Sequence, residues 1–80
     1  MVEIFGFDER IKKCRSCINA KRFCKVKNID YTFHSVNDDD NLKLLMSKMG
    51  LEESRGLTMP QIFDDGKHIG GFTDFKKYKK

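Results

Sequence analysis

Two cysteines three positions apart pose the first chemical question. Cys14-Arg15-Ser16-Cys17 is a Cys-x-x-Cys pair. Such pairs either cycle between dithiol and disulfide or supply half of a zinc site. Their position decides between the two. Val2 to Phe5 alternates and is β-prone, and neither Gly nor Pro interrupts the chain from Arg15 to about Lys27. The pair therefore lies between a first strand and the helix that follows it. Residues at i and i+3 share a helix face, so the two sulfurs can meet in the first turn. Cys14 falls near the N-cap, where unpaired backbone N–H groups and the helix dipole stabilise a thiolate. Lys12, Lys13 and Arg15 add positive charge beside it. The ionised form of Cys14 is favoured, and Cys17 is left as a more ordinary thiol. In the chemistry that follows, the Cys14 thiolate attacks an external disulfide. Cys17 then attacks Cys14, releases the substrate as a thiol and leaves an internal disulfide, which a separate reductant must reopen.

The remaining candidate groups add little. Tetrahedral zinc needs two further ligands. Cys24, His34 and His68 are the only other Cys or His residues, and none forms a second pair. No metal is expected. Cys24 lies two helical turns beyond Cys17, about 10 Å along the axis, too far for a disulfide between them. It reads as a small buried apolar residue. His34 and His68 read as structural or exposed. No Ser-His-Asp arrangement and no phosphate-binding glycine loop is present. Pro60, the only proline, follows Thr58-Met59 and precedes a short strand. It suits a strand start; a cis Met59–Pro60 bond would instead present the Met59 backbone to an extended peptide or to glutathione, and spacing alone does not choose.

The elements that must position these groups follow from the pattern. After the first helix, which ends near Asn28, Tyr31 to His34 alternates as a second strand. Asn37 and Asp38 to Asp40 open a second helix, since acidic side chains suit a helix N-terminus. Leu42, Leu45, Met46 and Met49 form its apolar stripe, and Gly50 stops it. Leu51 to Met59 is a loop and Gln61 to Phe63 a third strand. Asp64-Asp65-Gly66 is a hairpin turn returning as Lys67 to Ile69. Gly70-Gly71 breaks the chain, and Thr73 caps a last helix whose Phe72, Phe75 and Tyr78 face one way. The fold class is α/β, with order β-α-β-α-β-β-α. A parallel right-handed first β-α-β and a later hairpin give a four-stranded mixed sheet flanked by three helices.

Length and composition bound the rest. The 80 residues make one domain, 1–80, with 39% apolar and 35% charged residues. No apolar run is long enough to span a membrane, and the N-terminus lacks the pattern of a signal peptide. Three cysteines, an odd number, argue against a disulfide framework. The protein reads as intracellular and cytoplasmic. Of its 16 basic residues, against 12 acidic ones, eight fall between Arg10 and Lys27. Lys21, Arg22, Lys25 and Lys27 read most simply as a solvated helix face. A basic N-terminal third can also meet an acidic partner or a small anion. Aromatic and basic residues do not cluster as in a nucleic-acid-binding motif, so nucleic acid is excluded as a partner.

Three motifs in order carry a resemblance: Cys14-Arg15-Ser16-Cys17 after strand one, Thr58-Met59-Pro60 before strand three, and Gly70-Gly71-Phe72-Thr73-Asp74 after strand four. The whole chain resembles the glutaredoxin family, with its thioredoxin-like fold. Phe5-Gly6-Phe7-Asp8 leading into Lys13-Cys14, and Gly56-Leu57-Thr58-Met59-Pro60-Gln61, resemble the small glutaredoxins of tailed bacteriophages in particular. The resemblance implies a cis Met59–Pro60 bond near Cys14 and glutathione as reductant, bound across the site. The Met59 backbone, with Thr58 and Pro60, would pair with its cysteinyl part. Gly71, Phe72, Thr73 and Asp74 would hold its γ-glutamyl end. Lys12, Lys13 or Arg15 would meet its glycine carboxylate. It further implies reduction of protein disulfides and glutathione mixed disulfides, ribonucleotide reductase as a partner, a monomer, and the host cytoplasm for a phage protein. Arg15 and Ser16 stand where most members carry Pro-Tyr. Some members without that proline hold an iron–sulfur cluster with glutathione, which is the alternative reading.

Overall fold

A computed structural model describes residues 1–52 and 57–78. Gly56 of the phage-like motif, together with Glu53 and Lys79, lies outside the described residues. The elements run β1 (Val2–Gly6), α1 (Arg15–Val26), β2 (Tyr31–Ser35), α2 (Asp39–Met49), β3 (Gln61–Asp64), β4 (Lys67–Gly70) and α3 (Phe72–Tyr78). The β-α-β-α-β-β-α order expected from the pattern is present, and its strand order β2-β1-β3-β4 is the thioredoxin-like topology that the resemblance implied. β1 and β2 pair in parallel, joined through α1. β1 with β3, and β3 with β4, are antiparallel.

Alternation along β1 and β3 sends neighbouring side chains to opposite sheet faces. Val2, Ile4 and Ile62 pack on one side with Ala20 and Cys24 of α1 and Phe75 of α3. Phe5 and Phe63 pack on the other with Val36, just after β2, and with Leu45 of α2. Helices cover both faces, and β1 is buried between them. Phe23 bridges α1 to α3 through edge contacts with Phe72 and Phe75, at centroid distances of 6.2 and 5.3 Å.

Local chemistry sets the element ends. Asp38 caps α2 by accepting from the Asp40 N–H at 2.8 Å, with Asp39 and Asp40 in the first turn. Gly50 adopts φ +68° and closes the helix, and Leu51 N–H reaches Met46 O at 2.9 Å. Asp65 and Gly66 both take positive φ, the requirement of a two-residue turn joining twisted antiparallel strands. The start of α3 departs from expectation. The Phe75 N–H bonds Gly71 O at 3.0 Å, so Gly71 is the capping residue and Thr73 lies inside the first turn. Phe72 can begin the helix because Gly70, at φ +123°, turns the chain before it. Of the three aromatics along α3, Phe75 is buried and Phe72 packs on the core, while Tyr78 is 45% exposed.

Candidate functional site

Strand register brings the three motifs to one end of the sheet. Gly6, the last residue of β1, pairs with Ser35, the last of β2. Phe5 pairs with Gln61, the first of β3, and Gly70 at the end of β4 pairs with Ile62. The loop bearing Cys14, the turn before β3 and the start of α3 therefore leave the sheet side by side.

Cys14 and Cys17 are joined as a disulfide, with Cα atoms 5.3 Å apart. Cys14 is the N-cap of α1, in extended conformation at φ −125° and ψ 102°. Its Sγ accepts from the Cys17 backbone N–H at 3.3 Å. Cys14 is partly exposed, whereas Cys17 is fully buried. Beneath them lies Gly6. A Cβ at Gly6 would stand 2.7 Å from Cys17 Sγ and 3.2 Å from both Cys17 Cβ and the Phe33 ring. The floor under the buried sulfur must therefore be glycine. The alternation that marks the first strand stops at Phe5 and gives Gly6 no such role; its place in the Phe5-Gly6-Phe7-Asp8 motif was the available signal.

The loop between β1 and α1 is built around Asp8. Its carbonyl accepts from the Ile11 and Lys12 N–H groups, both at 2.9 Å. Its N–H donates to Asn37 Oδ1 at 2.7 Å, fixing the loop to the segment after β2. Its carboxylate takes the Arg10 N–H at 2.9 Å and the Arg10 guanidinium at 3.0 Å. The Arg10 side chain foremost, then its backbone N–H, holds the Asp8 carboxyl below the usual carboxylate value. Lys12 lies over the Phe7 ring, 4.4 Å from its centroid. Lys13 and Arg15 are exposed beside Cys14.

The second arm is Thr58-Met59-Pro60. The Met59–Pro60 bond is cis. Pro60 is buried, Met59 is half-buried and Thr58 is exposed. Gln61 is the buried polar residue behind this turn. Its Nε2 donates to Thr58 O at 2.7 Å. Its Oε1 therefore faces His68 Nε2, at 2.8 Å, and must accept that nitrogen's proton. His68, expected to be structural or exposed, is both: an exposed ring that fixes a buried amide. The link from His68 to Thr58 crosses two strands and was not readable from spacing. Met59 also lines an apolar cavity of about 150 Å³ with Phe7, Val36, Leu42 and Leu57.

The third arm meets the second. A Cβ on Gly71 would stand 3.7 Å from Pro60 O. The Asp74 carboxylate folds back over Gly70, where a Cβ would meet its Oδ2 at 2.5 Å. Phe72 is turned inward against Phe23, which leaves Thr73 and Asp74 as the exposed polar groups of this arm. His34 lies elsewhere, stacked on Phe5 and 3.2 Å from Glu3 Oε1. Cys24 is buried in the core between α1 and the sheet, as its helix position suggested. Among the described residues, no group of three or more His, Cys, Asp or Glu side chains is placed to hold a metal ion. No helix among them is long and apolar enough to cross a membrane.

A redox pair at a helix N-cap, flanked by a cis-proline turn on the neighbouring strand, defines a thiol–disulfide oxidoreductase of thioredoxin-like fold. The glutaredoxin family profile matches residues 2–69. The chain is 41% identical to the glutaredoxin of Enterobacteria phage T4 over 87 aligned positions, which take in 100% of each chain. Glutaredoxin 1 of Francisella tularensis, solved with cacodylate, superposes with a TM-score of 0.68 at 29% identity, over 95% of this chain and 87% of that one. A buckwheat glutaredoxin–glutathione complex shares the fold, with a TM-score of 0.68 at 22% identity over 96% of this chain and 66% of the other. The chain belongs to the glutaredoxin family.

Proposed function

We propose that this glutaredoxin is a glutathione-linked dithiol reductant of protein disulfides and glutathione mixed disulfides, with Cys14 as nucleophile and Cys17 as resolving thiol. The asymmetry of the pair carries the reading. Cys14 Sγ is reachable and accepts a backbone N–H at the helix N-cap, whereas Cys17 is fully buried and meets only a sulfur already bound at Cys14. In the reaction, the Cys14 thiolate attacks one sulfur of the substrate disulfide and expels the other as a thiolate, which takes a proton from solvent. The Cys17 thiol gives up its proton and attacks Cys14 Sγ, breaking the mixed disulfide and releasing the second substrate thiolate. Two electrons pass to substrate, and Cys14–Cys17 is the oxidised product. Two glutathione thiols return the electrons and leave as glutathione disulfide.

Glutathione is the reductant of the family, and the buckwheat protein of the same fold was solved with it bound. Here it would lie along the three arms. The Met59 backbone would pair with its cysteinyl part, with Thr58 and Pro60 beside it. Gly71, Phe72, Thr73 and Asp74 would receive the γ-glutamyl end, and Lys12, Lys13 or Arg15 the glycine carboxylate. By family resemblance, the proposed protein substrate is ribonucleotide reductase. The protein would act as a single-domain monomer in the cytoplasm, that of the host if phage-encoded.

The test is reduction of a small glutathione mixed disulfide, coupled to glutathione reductase and NADPH. Cys14→Ser should abolish all turnover. Cys17→Ser should keep part of the activity on glutathione mixed disulfides, which needs one thiol only, and lose reduction of protein disulfides. Full dithiol activity in Cys14→Ser would overturn the assignment.

A further inference from the structure

One face of α1 is not used by the site described above. Ile18, Lys21, Arg22 and Lys25, with Glu9 from the preceding loop, line a cleft of about 270 Å³. These helix positions lie 4, 7, 8 and 11 residues after Cys14, which places all of them on the helix face that begins at Cys14. The cleft thus runs from the redox cysteine down the helix. Its charge is predominantly positive, with the three cations Lys21, Arg22 and Lys25 against the single carboxylate of Glu9. Among the described residues no carboxylate stands within ion-pair distance of Lys21, Arg22 or Lys25. Lys21 lies against the Phe33 ring, 4.4 Å from its centroid, which holds it beside the cleft. Asp8 and Glu9 are the acidic residues of the adjoining loop, and Asp8 is already paired with Arg10; other acidic groups gather at the start of α2 and in the β3–β4 turn.

Distance separates this cleft from the glutathione arms. At 1.5 Å per residue, Lys21, Arg22 and Lys25 stand about 10, 12 and 16 Å along the axis from Cys14. The glycine carboxylate of glutathione is one residue from its sulfur-bearing residue, a reach of roughly 3–4 Å of backbone. It cannot extend that far. A polypeptide can, since an extended chain covers those distances in about three to five residues.

We propose that this face docks an extended acidic segment of a protein substrate, with carboxylates about three to five residues from the cysteine that Cys14 attacks. Ile18 gives the segment an apolar contact between the sulfur and the first cation. The charges set the substrate preference and the rate of encounter, and glutathione turnover does not draw on them. The proposal rests on Cys14 being the attacking thiol.

Two synthetic peptides with the same internal disulfide test it. One carries glutamates in that window and the other carries glutamines. The wild-type protein should reduce the acidic peptide with a kcat/KM about ten-fold higher at low salt, and the preference should collapse at high salt. The double variant Arg22→Glu/Lys25→Glu should lose or reverse the preference while reducing the small glutathione mixed disulfide at the wild-type rate. Arg22→Gln/Lys25→Gln should remove the preference without reversing it. Equal rates on the two peptides, or a preference that survives both variants, would overturn the docking surface and leave the oxidoreductase assignment standing. A wild-type protein without turnover on the small substrate would overturn that assignment, and the docking surface with it.

Discussion

The sulfur of Cys17, proposed as the resolving thiol, rests on a hydrogen atom. Gly6 has no side chain, and the 2.7 Å that a Cβ would leave to Cys17 Sγ is shorter than any ordinary contact. Thiol–disulfide exchange demands an aligned approach, so the place of that sulfur bears on the resolving step. Gly6→Ala is expected to cost about 1–3 kcal/mol of stability through overpacking. It should also slow reduction of protein disulfides by about ten-fold, because the displaced Cys17 must still reach Cys14. Glutathione mixed disulfides, which can be reduced through Cys14 alone, should be far less affected. Steady-state rates on both substrates, with a denaturation curve for each protein, check this. An equal loss on both would make Gly6 a packing residue only.

At the scale of elements, the turn into β3 is held from behind. Gln61 on β3 bonds the Thr58 carbonyl, and His68 on β4 bonds Gln61 in turn. Gln61→Leu removes both bonds, each worth about 0.5–1.5 kcal/mol net, and so costs about 1–3 kcal/mol. The proposed partner of glutathione is the backbone of this turn, so the variant should raise KM for a glutathione mixed disulfide and leave kcat nearly unchanged. His68→Ala should act in the same direction and more weakly, since Gln61 keeps its bond to Thr58. Initial-rate kinetics across a range of substrate concentrations separate the two constants. A fall in kcat at constant KM would place Gln61 with the sulfurs instead.

At the scale of the molecule, two apolar layers share one sheet, and each helix layer holds part of the site in place. α2 contributes a single fully buried side chain, Leu45, to its layer. Leu45→Ala is expected to cost about 2–5 kcal/mol. A domain of this length has roughly 4–12 kcal/mol to lose. Urea unfolding should show a large drop in midpoint at similar slope, and loss of activity should follow the unfolded fraction. The same layer carries Phe7, Leu57 and Met59, so damage to it reaches the Met59 turn.

The sequence alone determined whatever depends on short-range rules. The order of elements followed from strand alternation and helix period. Asp38, Gly50 and the Asp65-Gly66 turn were legible because caps and tight turns are chosen by one or two residues. The Cys-x-x-Cys pair at a helix start announced its own chemistry, and three ordered motifs pointed to the family. Tertiary structure decided what depends on residues distant along the chain. Gly6 lies 11 positions before Cys17, and only the crossing of β1 under α1 shows why it bears no side chain. Gln61 and His68 are joined across the hairpin, in a register that includes an irregularity between Ile62 and Phe63. The cap of α3 passed from Thr73 to Gly71 because Gly70 turns the chain early, a backbone conformation that side-chain preference does not report. The basic residues of α1 were visible as a run of charge. Their alignment with Cys14 along one cleft became a surface only when the fold brought Glu9 of the preceding loop to line it with them.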